Sequence, residues 1–480
     1  MILKQQKHYP SLIIPLCITL TFFIAYCILS FVRHDHYQSF GYDLGINDQT
    51  VWRYSQFQNP ITTIDAFPDK TKLATHVELV YALLSPFYWI WSSRKMLLLL
   101  EPAFVCSAAF AIYLLARKRD ISELVSNAII FSYLAFYGVQ NALWFDVHSI
   151  TFGAAFVAWF IYFLDTRRHK WSLVFLLLAI TSKENVALVT FLISFVYFIH
   201  KKDKTHLLHM AISFAYLLFI YKLYFPYIVK MPYLYQNKGG LLSNLNPLSL
   251  FDTKEKLTTI VYSFASWGFI PLLSPLTLLP ILGDFATYFV LGSELSAAQG
   301  IFGHYRVLIA PLLAWSTIEA ITRFKKLDTK WIALVLIFST IFIQYWLHLP
   351  LSYLTKKWFW TKPSGVRNIN EIKKQIPDDA SIVAQNNIVP HISHRDKIYT
   401  LYPEKKHFES NSPCGQPDCN WFRWFGQPEY LFVDLSPEWD ARHLLVDREQ
   451  FTDGIHNLER VGIIHQAKKI GNSYLFVVLQ

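Results

Sequence analysis

The chain has 480 residues, 53% of them hydrophobic and only 16% charged, yet its formal net charge is +10. Soluble domains carry about 25% charged residues, so the composition excludes a disordered tail protein, a coiled coil and a secreted disulfide scaffold. An aromatic fraction of 17% offers an alternative to nucleic-acid binding as the meaning of the positive balance: a membrane protein with interfacial aromatics.

A membrane-crossing helix needs about 20 mostly apolar residues. In chain order, Pro10–Val32 is the first such run; it is too long for a signal h-region and lacks a small-residue cleavage site. A long loop follows, His34–Thr75, carrying Gly41-Tyr42-Asp43-Leu44-Gly45-Ile46-Asn47-Asp48-Gln49. Its two carboxylates, Asp43 and Asp48, can serve as a general base or as metal ligands. The plainer reading is a solvated loop in which Asp48 caps a helix starting at Gln49. Val77–Trp91, with His76 and Glu78 at its start and Pro86 inside, reads as a juxtamembrane or re-entrant helix.

Further spans are expected at Met96–Leu115, Ile121–Trp144 and Ile150–Leu164. The turn between the last two carries Asp146 and His148, two residues apart and close enough to pair. Trp171–His200 is one apolar stretch interrupted by Ser182-Lys183-Glu184-Asn185, and reads as a hairpin of short helices with charges at the tip. Ionisable residues at membrane depth are costly and usually functional; Lys183 suits a phosphate, and Glu184 an acceptor or the lysine itself. Leu207–Ile228, Ile260–Leu273, Leu276–Leu291, Tyr305–Ile321 and Trp331–Tyr353 complete about eleven crossings. Before the fourth of these runs stand Gly303-His304-Tyr305-Arg306, and Arg306 suits planar recognition of phosphate or simple interfacial snorkelling.

Basic clusters at Arg117–Arg119, Arg167–Lys170, Lys201–Lys204 and Arg323–Lys326 fall in short loops that all lie inside if the N-terminus is cytoplasmic. The same parity puts the polar clusters and the C-terminus outside. Past Lys356 the chain turns polar and nearly neutral, with 16 basic and 15 acidic residues. A multi-pass α-helical membrane domain over 1–355 is therefore expected, followed by a small extracytoplasmic α/β domain over 356–480. The tail's expected elements are a helix at Asn368–Gln375 and strands at Ser381–Ala384, Tyr430–Asp434 and Tyr474–Leu479. Cys414 and Cys419 flank a Gly-Gln-Pro-Asp turn, open to a disulfide, free thiols or a two-ligand share of a metal site.

The Gly41–Gln49 loop resembles the first-loop motif of a family of predicted membrane proteins grouped with the GT-C superfamily of membrane glycosyltransferases. Lys183-Glu184-Asn185-Val186-Ala187-Leu188 resembles the same family's hairpin tip, and His304-Tyr305 its late motif. The chain departs from the pattern at Asn47, Val77-Glu78, Ser149 and Asn185. The last two replace carboxylates, so a divalent cation is compatible with the motifs without being required. The resemblance implies a plasma-membrane GT-C-like enzyme that moves a sugar from a polyprenyl-phosphate donor to an acceptor on the outer face. It implies Asp43 as general base with Asp48 assisting, and Lys183 and Arg306 against the lipid phosphate. His76, Asp146, His148, Glu184 and His304 would bind substrate. A transporter or flippase of a lipid-linked or anionic substrate, and a non-catalytic membrane scaffold, are the competing classes.

Overall fold

The computed structural model describes residues 12–479 apart from 65–70, 232, 234–245, 291–295, 405–421 and 425. Cys414 and Cys419 lie outside the described residues. Three described helices are long and apolar enough to cross a membrane, Ile13–Asp35, Lys95–Lys118 and Lys204–Val229. A bent pair, Ala297–Arg306 with Ile309–Arg323, adds a fourth if counted as one span. The expected span Ile150–Leu164 lies within helix Ser149–Asp165, whereas several of the others are shorter than the sequence suggests or broken. Ile121–Trp144 divides into Glu123–Leu134 and Tyr137–Trp144. The Gln140 amide donates to the carbonyl of Ala135 that this break frees, at 2.7 Å. Ile260–Leu273 is not one helix either. Helix Lys254–Ala265 ends, and the chain turns through Gly268 and Phe269, both at φ +59°, into a 3-10 turn at Ile270–Leu273.

The hairpin is present as expected: helices His169–Ile180 and Val186–Lys201 flank the turn Thr181–Asn185. Val77–Trp91 holds two short helices, Val80–Leu84 and Phe87–Ile90, separated at Pro86. The four basic clusters gather at one end of the helices. Arg119 pairs with Asp165 and, at 2.9 Å, with Glu319. Lys325 donates to the Arg119 carbonyl at 3.3 Å, and His169 stands 3.9 Å from Asp203.

The tail contains helix Gly365–Lys373 and a mixed five-stranded sheet. Ile382–Ala384 pairs in parallel with Ile398–Thr400 and with Tyr430–Asp434. Ser473–Val478 then adds antiparallel to Tyr430–Asp434, with Ile464–Ile470 at the edge. Its core is not closed by the tail alone. Tyr37, Ile46 and Ile64 of the first loop are buried in it. The loop is therefore a packed part of the sheet region rather than a solvated connection.

Candidate functional site

Asp43 lies on a one-turn π-helix, Gly41–Gly45, which runs directly into helix Ile46–Ser55. Such π turns widen the backbone locally and recur at functional sites. The turn is seated on the tail. The Gly41 amide donates to Asn386, at 2.8 Å to the carbonyl and 3.0 Å to Oδ1. A Cβ at 41 would meet the Val389 side chain at 3.0 Å, so glycine permits the close approach.

The Asp43 side chain is 26% exposed, and its Oδ1 lies 3.2 Å from Nε2 of His148. The His148 ring stacks on His304, centroids 3.6 Å apart, with Phe145 on the stack as well. His148 is held from behind, because its backbone amide donates to Glu101 Oε1 at 3.1 Å. The next residue continues the polar chain: Ser149 donates to Glu78 at 2.6 Å, and Glu78 pairs with Lys72 at 3.1 Å. Two residues before Glu78, His76 Nδ1 lies 2.7 Å from Glu184 Oε1 at the hairpin tip. Glu184 also accepts from the Val77 amide at 3.1 Å and from the Tyr233 hydroxyl.

Burial pushes the Glu184 carboxyl up, but His76, its hydrogen bond and the Lys183 ammonium outweigh this and hold it at about 2. Glu78 is likewise pushed up by burial and pulled below its ordinary value, to about 2, first by Lys72 and then by His76 and Lys183. Burial is also the main reason His76 is lowered, with Lys183 adding to it, while Glu184 and Glu78 pull it back up. Lys183 acts on all three groups, yet it is half-buried and has no ion pair or hydrogen bond of its own among the described residues.

The structure thus gathers Asp43, His148, His304, His76, Glu184 and Lys183 into one polar chain, and it sets three other candidates apart. Asp48 does not cap a helix at Gln49; it sits within the first turn of a helix that begins at Ile46. It is completely buried, accepting from the Tyr88 and Ser393 hydroxyls with His394 Nε2 3.0 Å from Oδ2. Burial raises its carboxyl, but His394, Ser393 and Tyr88 bring it below the ordinary value. Asp146 pairs with Arg33 rather than with His148, and also accepts from the Phe40 amide at 3.0 Å. Its carboxyl is pushed up to about 6 by burial, against the pull of Arg33. Arg306 does not snorkel. It is fully buried over Tyr288 at 4.6 Å, donates to the Ala298 carbonyl at 2.7 Å and stands 3.9 Å from buried Asp284. Glu184 takes His76 as its partner and not its neighbour Lys183.

Sequence reasoning passed over Ser149, Glu78 and Glu101 as site members, and missed Tyr233, Ser393 and His394. The signal for Glu78 and Glu101 was their charge in apolar surroundings. Among the described residues, no group of three or more His, Cys, Asp or Glu side chains is arranged to hold a metal ion.

Among solved structures, the fold is similar to ArnT from Cupriavidus metallidurans bound to undecaprenyl phosphate. The TM-score is 0.58 at 12% identity, over 96% of this chain and 97% of that one. ArnT from the same organism in the apo state gives 0.56 at 10% identity, over 95% and 97%. At such identity the likeness concerns the fold alone, which is ArnT-like. No curated protein matches the sequence. Residues 33–443 match the family described as predicted membrane protein (DUF2079), the kind of family that the Gly41–Gln49 loop resembles, and the chain belongs to that family.

Proposed function

We propose that the chain transfers a sugar from a polyprenyl-phosphate donor to an acceptor at the outer face of the membrane. The observation that carries this reading is the Asp43 carboxylate, which is bonded through Oδ1 and open at Oδ2. Asp43 is the general base: Oδ2 takes the proton of the acceptor hydroxyl as its oxygen bonds the anomeric carbon and the bond to the lipid phosphate breaks. His148 donates from Nε2 to Oδ1 and fixes the carboxylate. Lys183, a cation with no side-chain partner among the described residues, stands beside Glu184 and His76 and receives the phosphate that leaves. Asp48 and Arg306, being enclosed, hold the loop and the 3-10 turn in place. The lipid-carrier class is supported by the ArnT-like fold, since that relative is seen with undecaprenyl phosphate.

The gathering of the basic clusters at the opposite end supports an orientation with the N-terminus in the cytoplasm and the tail outside. The tail 356–480 then serves as an extracytoplasmic domain whose core is completed by the first loop. The buried Asp284–Arg306 pair favours one rival, a transporter of an anionic or lipid-linked substrate. Membranes containing the protein and a panel of labelled polyprenyl-phosphate sugars distinguish the two. Label appearing on an acceptor supports transfer, whereas label crossing the membrane still attached to its lipid supports the rival.

A further inference from the structure

A second cationic group lies at the same end of the helices as Asp43, and the proposed reaction does not use it. Helix Ile13–Asp35 ends there and helix Lys95–Lys118 begins there, with Arg94 as the residue before its first turn. Lys95 is satisfied, bonded to Asp35 at 2.7 Å. Arg94 is not. It makes no ion pair among the described residues, and its Nε is buried without a hydrogen-bond partner. From the tail, Lys373 reaches over the Tyr37 ring, 6.0 Å from its centre, and it too makes no ion pair among the described residues. Burial and the Arg94 charge hold the Lys373 ammonium down at about 8, although Asp35, which is committed to Lys95, pulls it partly back. The floor beneath them is a stack of Tyr37 on His391 on His34, with centroids 3.7 and 4.1 Å apart, which supplies no negative charge.

The chain immediately before Arg94 is an exposed apolar edge. Trp89, Ile90 and Trp91 are 59%, 82% and 41% exposed, and Phe57, 87% exposed, packs against Trp89. Tryptophans beside cations at the end of an apolar helix are the pattern of residues seated at headgroup level.

We propose that Arg94 and Lys373 form a binding site for the phosphate of an anionic membrane lipid, bridging the helical part and the tail, with Trp89, Ile90 and Trp91 lying in the bilayer interface beside it. The inference is independent of the proposed transfer reaction. It makes the lipid a counterion that fastens the tail to the membrane part, because its phosphate is the charge that Arg94 and Lys373 lack.

The test uses the purified full-length protein in phosphatidylcholine nanodiscs, titrated with phosphatidylglycerol and read by native mass spectrometry of retained lipid. Wild type is expected to retain phosphatidylglycerol over phosphatidylcholine. Arg94→Gln and Lys373→Gln are each expected to weaken that preference about fivefold, and Arg94→Lys to keep most of it. Lys374→Gln, whose exposed ammonium is already paired with Glu371 at 2.9 Å, is expected to leave the preference unchanged. Equal retention of the two lipids by wild type would overturn the proposal, as would an unchanged preference in both Gln variants. A parallel titration with inorganic phosphate separates the sources: phosphate binding that depends on Arg94 and Lys373, without any lipid preference, would overturn the lipid assignment. If a Gln variant of one residue fails to fold, the other decides, and Arg94→Lys controls for packing.

Discussion

The Asp43 carboxylate meets His148 through Nε2 at 3.2 Å, while the other ring nitrogen of His148 is buried with no partner among the described residues. A neutral imidazole has one donor and one acceptor nitrogen. A carboxylate opposite Nε2 assigns the proton there and leaves Nδ1 as the acceptor. One oxygen of Asp43 is thereby pinned and the other left free, which is the arrangement a general base needs.

Asp48 and Asp43 are five residues apart in one loop but differ in kind. Asp48 is enclosed by Tyr88, Ser393 and His394, so Asp48→Ala strands the buried Tyr88 hydroxyl and takes the carboxylate from the His394 imidazole, while Ser393 keeps the Pro390 carbonyl. The expected loss of stability is about 3–5 kcal/mol, with the tail freed for limited proteolysis. Thermal unfolding of the solubilised protein checks this, and a melting point equal to wild type would refute it.

Gly138 controls the turn that carries His304. A Cβ there would lie 2.5 Å from the Arg306 carbonyl oxygen and 2.6 Å from the Phe136 ring. One of these contacts is backbone and cannot swing aside. Gly138→Ala is expected to cost about 1–3 kcal/mol and to lower turnover by displacing His304 from His148. A variant with wild-type melting and turnover would show that the turn tolerates the shift.

Lys183→Gln removes the cation without a partner and no hydrogen bond within the fold. Its effect should fall on donor affinity, with KM for the polyprenyl-phosphate sugar raised about tenfold or more and the melting point little changed. Steady-state kinetics at varied donor concentration measure it. A fall in kcat with KM unchanged would place Lys183 elsewhere in the reaction.

Glu78 and Glu184 give the fold a defined response to acid. Both are held at about 2 in the folded protein, against an ordinary 4.5. Between those values the unfolded chain binds more protons than the folded one. Their contribution is therefore complete above about pH 4.5 and is lost as the pH falls towards about 2. The melting point of wild type should fall through that window, and that of a Glu78→Gln/Glu184→Gln variant should fall less. Parallel curves would contradict the assignment.

What the sequence made legible depended on whether the signal was local. The hairpin could be read because Lys183 and Glu184 interrupt an otherwise apolar run. The strand Tyr430–Asp434 was found over the residues it occupies, since β-branched and aromatic residues mark it. The exposed edge strand Ile464–Ile470 was not, because most of its side chains face solvent and carry no alternation. The break at Ala135 was invisible, as no proline or charge marks it, and the Gln140 side chain that heals it looks like any polar residue. Candidate acids and bases could be named by type, but not their partners: His148 lies 105 residues from Asp43 and Glu184 108 from His76. Asp48 looked as eligible as Asp43 because its enclosure is provided by Ser393, 345 residues away.

In the proposed transfer, Asp43 takes the acceptor's proton. Turnover of labelled polyprenyl-phosphate sugar by Asp43→Asn, measured beside wild type and Asp43→Glu at matched expression and melting point, tests it most directly. A neutral amide keeps the shape and the bond to His148 but cannot accept the proton, so Asp43→Asn should lose about 100-fold or more in rate. Asp43→Glu should recover part of it. An Asp43→Asn protein that turns over as fast as wild type would contradict the account.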